Sequence, residues 1–80
     1  MNQTENVKVR VMRIVAEHLG IDQNKLSEDS ELTDLGADSL DKVEIAMEFE
    51  EEFGIEISDE QTDDFKTIGS TIAHIQAMCA

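Results

Sequence analysis

The sequence contains no proline, tryptophan or tyrosine, a single cysteine and only six basic residues. A lone Cys79 excludes an internal disulfide framework and fits a reducing compartment. With three Phe as the only aromatics, aliphatic side chains must fill most of the core. No apolar run approaches the roughly 20 residues of a membrane-spanning helix, so no membrane insertion is expected. The opening stretch Met1-Asn2-Gln3-Thr4-Glu5 has neither the basic and apolar regions of a signal peptide nor the Arg-rich character of a transit peptide. A soluble cytoplasmic protein is expected. Six basic residues against nineteen acidic ones give a formal net charge of −13. Such a surface repels nucleic acid and steers toward basic partners at a rate tuned by salt. Eighty residues suffice for one small domain, residues 1–80. A chain of this size buries roughly 60 % of its unfolded surface, too little for a deep, water-excluding active site.

Helical periodicity dominates what is present. Over residues 6–19, Val7, Val11, Ile14, Val15 and Leu19 recur at helical spacing, with Lys8, Arg10, Arg13 and Glu17 mostly opposite. Gly20 is placed to end that helix. Residues 20–38 show no sustained period, and Ile21, Leu26, Leu32 and Leu35 are isolated apolar anchors. They read as a long ordered loop containing at most a short helical turn, and loops of that length in compact domains usually have a function. A second helix is predicted over residues 39–53, with Asp38 as N-cap and Gly54 as stop. Its inner face carries Ile45, Ala46, Phe49 and Phe53. Asp41, Glu44, Glu48, Glu51 and Glu52 form an opposing acidic stripe, flanked by Leu40, Val43 and Met47. Ser58 and Gln61 match a capping box for a short third helix over residues 59–64. Thr67 then caps a last helix over residues 68–78, with Ile68, Ile72 and Ile75 inward. The predicted fold is all-α: a small bundle of three longer helices and one short one, with the long loop between helices one and two.

Ser39 stands at the junction of that loop with the second helix, where backbone N–H groups and the positive dipole end favour a phosphate. Serine at a helix start is ordinarily a cap, and position alone leaves that reading open. A nucleophilic serine requires a base, an orienting acid and oxyanion donors. His18 and His74 are the only imidazoles, both expected at the surface, and no Gly-x-Ser-x-Gly elbow is present, so no catalytic residue is assigned. Setting Gly36 as the sixth residue of an EF-hand puts Leu35 at the fifth and Lys42 at the twelfth, so that register fails and no metal site is assigned. The acidic stripe, nearly all of one sign, lacks the i,i+4 opposite-charge pairs that stabilise an ordinary solvated helix. Its mixture of acid and apolar flank suits weak, reversible docking to basic patches. Crowding of the carboxylates is expected to raise their pKa values and to make mild acid or divalent cations stabilising.

Leu35-Gly36-Ala37-Asp38-Ser39-Leu40-Asp41 resembles the phosphopantetheine attachment motif of acyl carrier proteins, centred on Asp-Ser-Leu. Val43-Glu44, Glu50-Glu51-Glu52-Phe53, Ile55-Glu56-Ile57 and Asp59-Glu60 resemble the family's second helix and the start of its third, so the similarity spans essentially the whole chain. The resemblance implies that Ser39 receives 4′-phosphopantetheine from coenzyme A through a holo-acyl-carrier-protein synthase. The chain would then be a non-catalytic carrier of acyl thioesters in fatty acid biosynthesis. It further implies that Asp38, Leu40, Asp41, Val43, Glu44, Met47 and Glu51 lie on a partner-recognition helix. Glu48, where relatives often have a small residue, would extend its acidity. Expected partners are the holo-synthase, ketoacyl synthases, reductases, dehydratases and acyltransferases, which a monomer would meet through their basic patches. Short or medium acyl chains would lie between the helices among Ile45, Ala46, Phe49, Phe53, Ile57, Phe65 and Ile72. Phe49 departs there from a commoner aliphatic residue, and Ser58 from Pro. The alternatives are a specialised carrier for polyketide, lipopolysaccharide-type or aminoacyl transfer, an acidic adaptor without a prosthetic group, and, more distantly, a small hydrolase.

Overall fold

The computed structural model describes the backbone of residues 3–79 and the side chains of residues 7–79. Among the described residues four helices follow one another: α1 (Gln3–Leu19), α2 (Ser39–Phe53), α3 (Asp59–Asp63) and α4 (Ile68–Cys79). A single 3-10 turn at Gln23–Lys25 interrupts the long loop. No strand occurs among the described residues, only an isolated antiparallel bridge between Glu31 and Thr67. The molecule is thus the small all-α bundle expected. α1 begins earlier than its apolar spacing predicts, because polar residues 3–5 carry no periodic signal to mark the extra turn.

α1 packs against α2 and α4. Val11 and Val15 of α1, Ile45 and Phe49 of α2, and Ile68 and Ile75 of α4 are all essentially inaccessible to solvent. Phe65, between α3 and α4, is equally buried and meets the Phe49 ring edge-on with centroids 5.9 Å apart. Fully burying such a side chain contributes about 1.5–3 kcal/mol, so these positions dominate the driving force. Two buried hydroxyls are satisfied by the residue just before their helix: Thr62 Oγ1 donates to Ser58 O and Thr71 Oγ1 to Thr67 O.

The long loop is fastened to the start of α4. Leu26, Leu32 and Ala37 are buried, while Ile21 and Leu35 pack on the rim of the core. The Leu32 N–H donates to Lys66 O at 2.9 Å. In return, the Ile68 and Gly69 N–H groups donate to Ser30 O and Glu28 O at 2.9 and 2.8 Å. Loop carbonyls therefore satisfy N–H groups that the first turn of a helix leaves open. A Cβ at position 69 would lie 3.0 Å from Glu28 O, which is the physical reason for glycine there.

α2 is closed at both ends as its sequence predicts. Asp38 Oδ1 accepts from the Asp41 N–H at 2.9 Å, and the Asp38 N–H donates back to Asp41 Oδ2 at 3.1 Å. Gly54 ends the helix with φ of +65° and donates to Glu50 O, a conformation that side chains disfavour. The Ser58–Gln61 box opens α3. At α4, Thr67 Oγ1 accepts from the Ser70 N–H at 3.0 Å.

Candidate functional site

Ser39 is the first residue of α2 and is exposed. The capping bonds of this helix are made by Asp38 and Asp41, and no hydrogen bond among the described residues engages the Ser39 hydroxyl. An ordinary capping role therefore belongs to the neighbouring residue. Beside Ser39, a groove of about 170 Å³ separates α2 from α3, lined by Ser39, Lys42, Val43, Asp59, Thr62 and Asp63. Lys42 is the one basic residue on α2; it and the helix N-terminus favour a phosphate at Ser39, against the acid of Asp59 and Asp63 in the same groove.

The predicted docking residues occupy two settings. Leu40 is 64 % exposed, Met47 56 % and Val43 41 %, forming an uncovered apolar ridge along the outer side of α2. Asp38, Glu44 and Glu51 are exposed as well, whereas Asp41 and Glu48 are half-buried. The stripe does not stand opposite the core face. At 100° per residue its centre lies nearer a third of a turn from the centre of that face than a half. One edge of the stripe therefore meets α1.

That edge is paired. The His18 Nδ1 lies 2.8 Å from Glu48 Oε2, and its Nε2 lies 3.3 Å from Asp41 Oδ1 and 3.4 Å from Glu44 Oε1. Arg10 Nε binds the Glu52 carboxylate, its Nη2 donates to Glu52 O at 2.8 Å, and its guanidinium lies 4.6 Å from the Phe53 ring centroid. Arg13 approaches Glu52 at 3.8 Å. These three cations were not anticipated as neighbours of the stripe, and His18 is not the surface residue expected: its side chain is only 17 % exposed. The available signal was the concentration of basic residues in the first helix against acid in the second.

Burial would lower the His18 pKa, but the hydrogen bonds it donates to Glu48 and Asp41, with the charges of Glu48 and Glu44, outweigh it and raise the value above the ordinary 6.5. Asp41 moves down, chiefly through the hydrogen bond from the Asp38 backbone and further through His18. The expected upward shift from carboxylate crowding is thus reversed at Asp41, because a donor and a cation face it.

Of the residues assigned to an acyl pocket, Ile45, Ala46, Phe49, Phe65 and Ile72 are buried, and Phe53 and Ile57 pack at the edge of the same core. They form one contiguous apolar interior beneath α2. His74 stands at its far side, edge-on to Phe65 with centroids 5.5 Å apart and with Nε2 buried and unpartnered. It too is half-buried where a surface position was expected. Cys79 is exposed and free. No helix among the described residues is long and apolar enough to cross a membrane.

Comparison with known proteins agrees with this arrangement. Residues 9–75 match the family described as "Phosphopantetheine attachment site". The chain is 49 % identical over 72 residues to the acyl carrier protein of Sinorhizobium fredii and to the acyl carrier protein AcpP of Rhizobium meliloti, covering 89 % of this chain and 92 % of each relative. In fold it is similar to the HMG-ACPI domain from the CurA module of Lyngbya majuscula. That likeness has a TM-score of 0.83 at 22 % identity and covers 99 % of this chain and 83 % of that one. It is also similar to the apo doublet acyl carrier protein from prodigiosin biosynthesis, with a TM-score of 0.78 at 29 % identity over 96 % of this chain and 38 % of that longer one. A match that runs through the free hydroxyl at the head of α2 and nearly the whole bundle around it makes this chain a member of the phosphopantetheine-bearing acyl carrier protein family.

Proposed function

We propose that this chain carries growing acyl chains in fatty acid biosynthesis, with Ser39 as the attachment point of 4′-phosphopantetheine. The observation that supports the attachment most is the exposed hydroxyl that Asp38 leaves free, at a helix N-terminus beside the groove containing Lys42. When attached, the arm supplies a thiol that holds acyl groups as reactive thioesters. The chain's own residues present the attachment point, offset the phosphate charge and offer a surface to other proteins; catalysis belongs to the partners.

The docking surface comprises Leu40, Val43 and Met47 with Asp38, Asp41, Glu44, Glu48 and Glu51. It is suited to the basic patches of a holo-synthase, ketoacyl synthases, reductases, dehydratases and acyltransferases. The protein acts as a cytoplasmic monomer with a single carrier domain. Acyl cargo enters the interior among Ile45, Ala46, Phe49, Phe53, Ile57, Phe65 and Ile72, and this requires the packed core to part. The fatty acid pathway is favoured by the 49 % identity to AcpP. The 29 % identity to a prodigiosin carrier supports a specialised pathway less strongly.

Incubation with a holo-synthase and coenzyme A, followed by intact-mass measurement, tests the assignment. The wild-type chain gains the mass of one arm and Ser39→Ala gains none. An unmodified wild type, or a modified alanine variant, overturns it.

A further inference from the structure

His18 projects from α1 into three carboxylates of α2, and the arrangement differs from a plain cluster of acids in its chemistry. The ring has two distinct faces. Its Nδ1 lies 2.8 Å from Glu48 Oε2, while Nε2 looks onto Asp41 Oδ1 and Glu44 Oε1 at 3.3 and 3.4 Å. The last two separations are long for N–H···O hydrogen bonds, which centre near 2.9–3.0 Å. The first is a long hydrogen bond and the second an ion-pair contact, and both also fall close to the ligand-to-ligand edge of a tetrahedron around an ion with metal–ligand bonds of about 2.0–2.1 Å, roughly 3.3–3.4 Å. The three candidate ligand atoms all lie within 4.8 Å of one another.

We propose that His18 Nε2, Asp41 Oδ1 and Glu44 Oε1 form a binding site for a zinc-like divalent transition-metal ion, bridging α1 and α2. The surrounding contacts suit it. Glu48 holds the Nδ1–H and so fixes the tautomer that leaves Nε2 facing the ion, an orientation that metal-ligating histidines commonly have. Asp41 is aimed by its own contact, since Oδ2 accepts from the Asp38 N–H at 3.1 Å. The Glu44 side chain is half-exposed, which leaves the fourth position open to water. One nitrogen with two carboxylate oxygens selects zinc-like ions over calcium and magnesium, which prefer six or more oxygens. In binding, the ion replaces the proton on Nε2, and that proton goes to solvent. The site stands without the carrier reading; its consequence for docking rests on that reading. A bound ion neutralises Asp41 and Glu44, two of the charges proposed to meet basic partners, and would slow docking.

Calorimetric titration of zinc chloride tests the site, using the full chain with Ser39→Ala and Cys79→Ser so that neither an arm thiol nor the chain's own thiol competes. Millimolar magnesium occupies loose oxygen-only sites. One ion per chain is expected. His18→Ala should weaken it at least about tenfold and Glu48→Gln by a smaller factor, with circular dichroism reporting whether each variant folds. Nitrogen-15 spectra of the unmutated ring should show zinc moving the His18 Nε2 resonance far more than Nδ1. That readout holds even where a variant fails to fold. Zinc affinity unchanged by His18→Ala, or an Nε2 resonance that does not respond to zinc, means that the acidic surface holds the ion only diffusely and overturns the site.

Discussion

The two sides of α2 use similar residues for opposite ends. Toward α1, Asp41, Glu48 and Glu52 stay partly exposed but are drawn into contacts with His18, Arg10 and Arg13, so their charge is partly matched within the chain. On the outer side and toward α3, Leu40, Val43 and Met47 stand uncovered beside Ser39 and Glu51. The difference teaches that net charge overstates what this helix can offer a partner. Part of its acid is already matched by the only strongly basic segment of the chain, and the outward part is thinner and more apolar than composition suggests.

Substitutions on the two sides should therefore separate cleanly. The largest contrast is in modification. Ser39→Ala abolishes the mass gain from a holo-synthase, while His18→Ala on the other side leaves modification possible. Stability separates next, in the opposite sense. Arg10→Ala loses charge-assisted bonds to Glu52 and contact with Phe53, and should cost about 1–3 kcal/mol in urea denaturation. Met47→Ala, on the exposed ridge, should stay within about 0.5 kcal/mol. Equal losses from both would erase the distinction.

Docking gives a smaller effect. Glu51→Lys should weaken binding to a carrier-using enzyme a few-fold, since each exposed ion pair contributes about 0.2–1 kcal/mol. The deficit should shrink in high salt, and a salt-independent deficit would argue for packing instead of charge. The subtlest difference is in pH. His18 has a raised folded pKa, so its contribution is complete below the unfolded value and is lost as pH climbs through the folded one. Asp41 is depressed, so its contribution holds above its unfolded value and is lost as pH falls through the folded one. In the presence of a chelator, the melting temperature of wild type should exceed that of His18→Gln most at about pH 5–6, between the two reference values. The gap should narrow on either side; a gap constant across pH would remove the charge from the explanation.

Helix order, the boundaries of α2 and the caps at Asp38, Ser58 and Thr67 were all legible in the sequence, because each depends on residues close together in the chain. The likeness of the segment around Ser39 to an attachment motif rests on neighbouring residues for the same reason. What escaped were relations between segments. Nothing local says that the acidic stripe leans onto α1, since that depends on how two helices pack. The carbonyls of Ser30 and Glu28 meeting the first turn of α4 were equally hidden, although Gly69 in a helix start was a mark of close approach. His18 and His74 read as surface residues because a helical projection gives direction without depth.

The cap on Asp38 has one more consequence. Since the bonds that begin α2 belong to the residue before Ser39, a group joined to that serine removes none of them. Attachment and removal of the arm then leave the start of α2 intact, and only entry of cargo into the core asks the helices to move. A partner would meet the same first turn of α2 whether or not the arm is in place, and could tell a loaded carrier only by the arm's end or by the shift of a core that has opened.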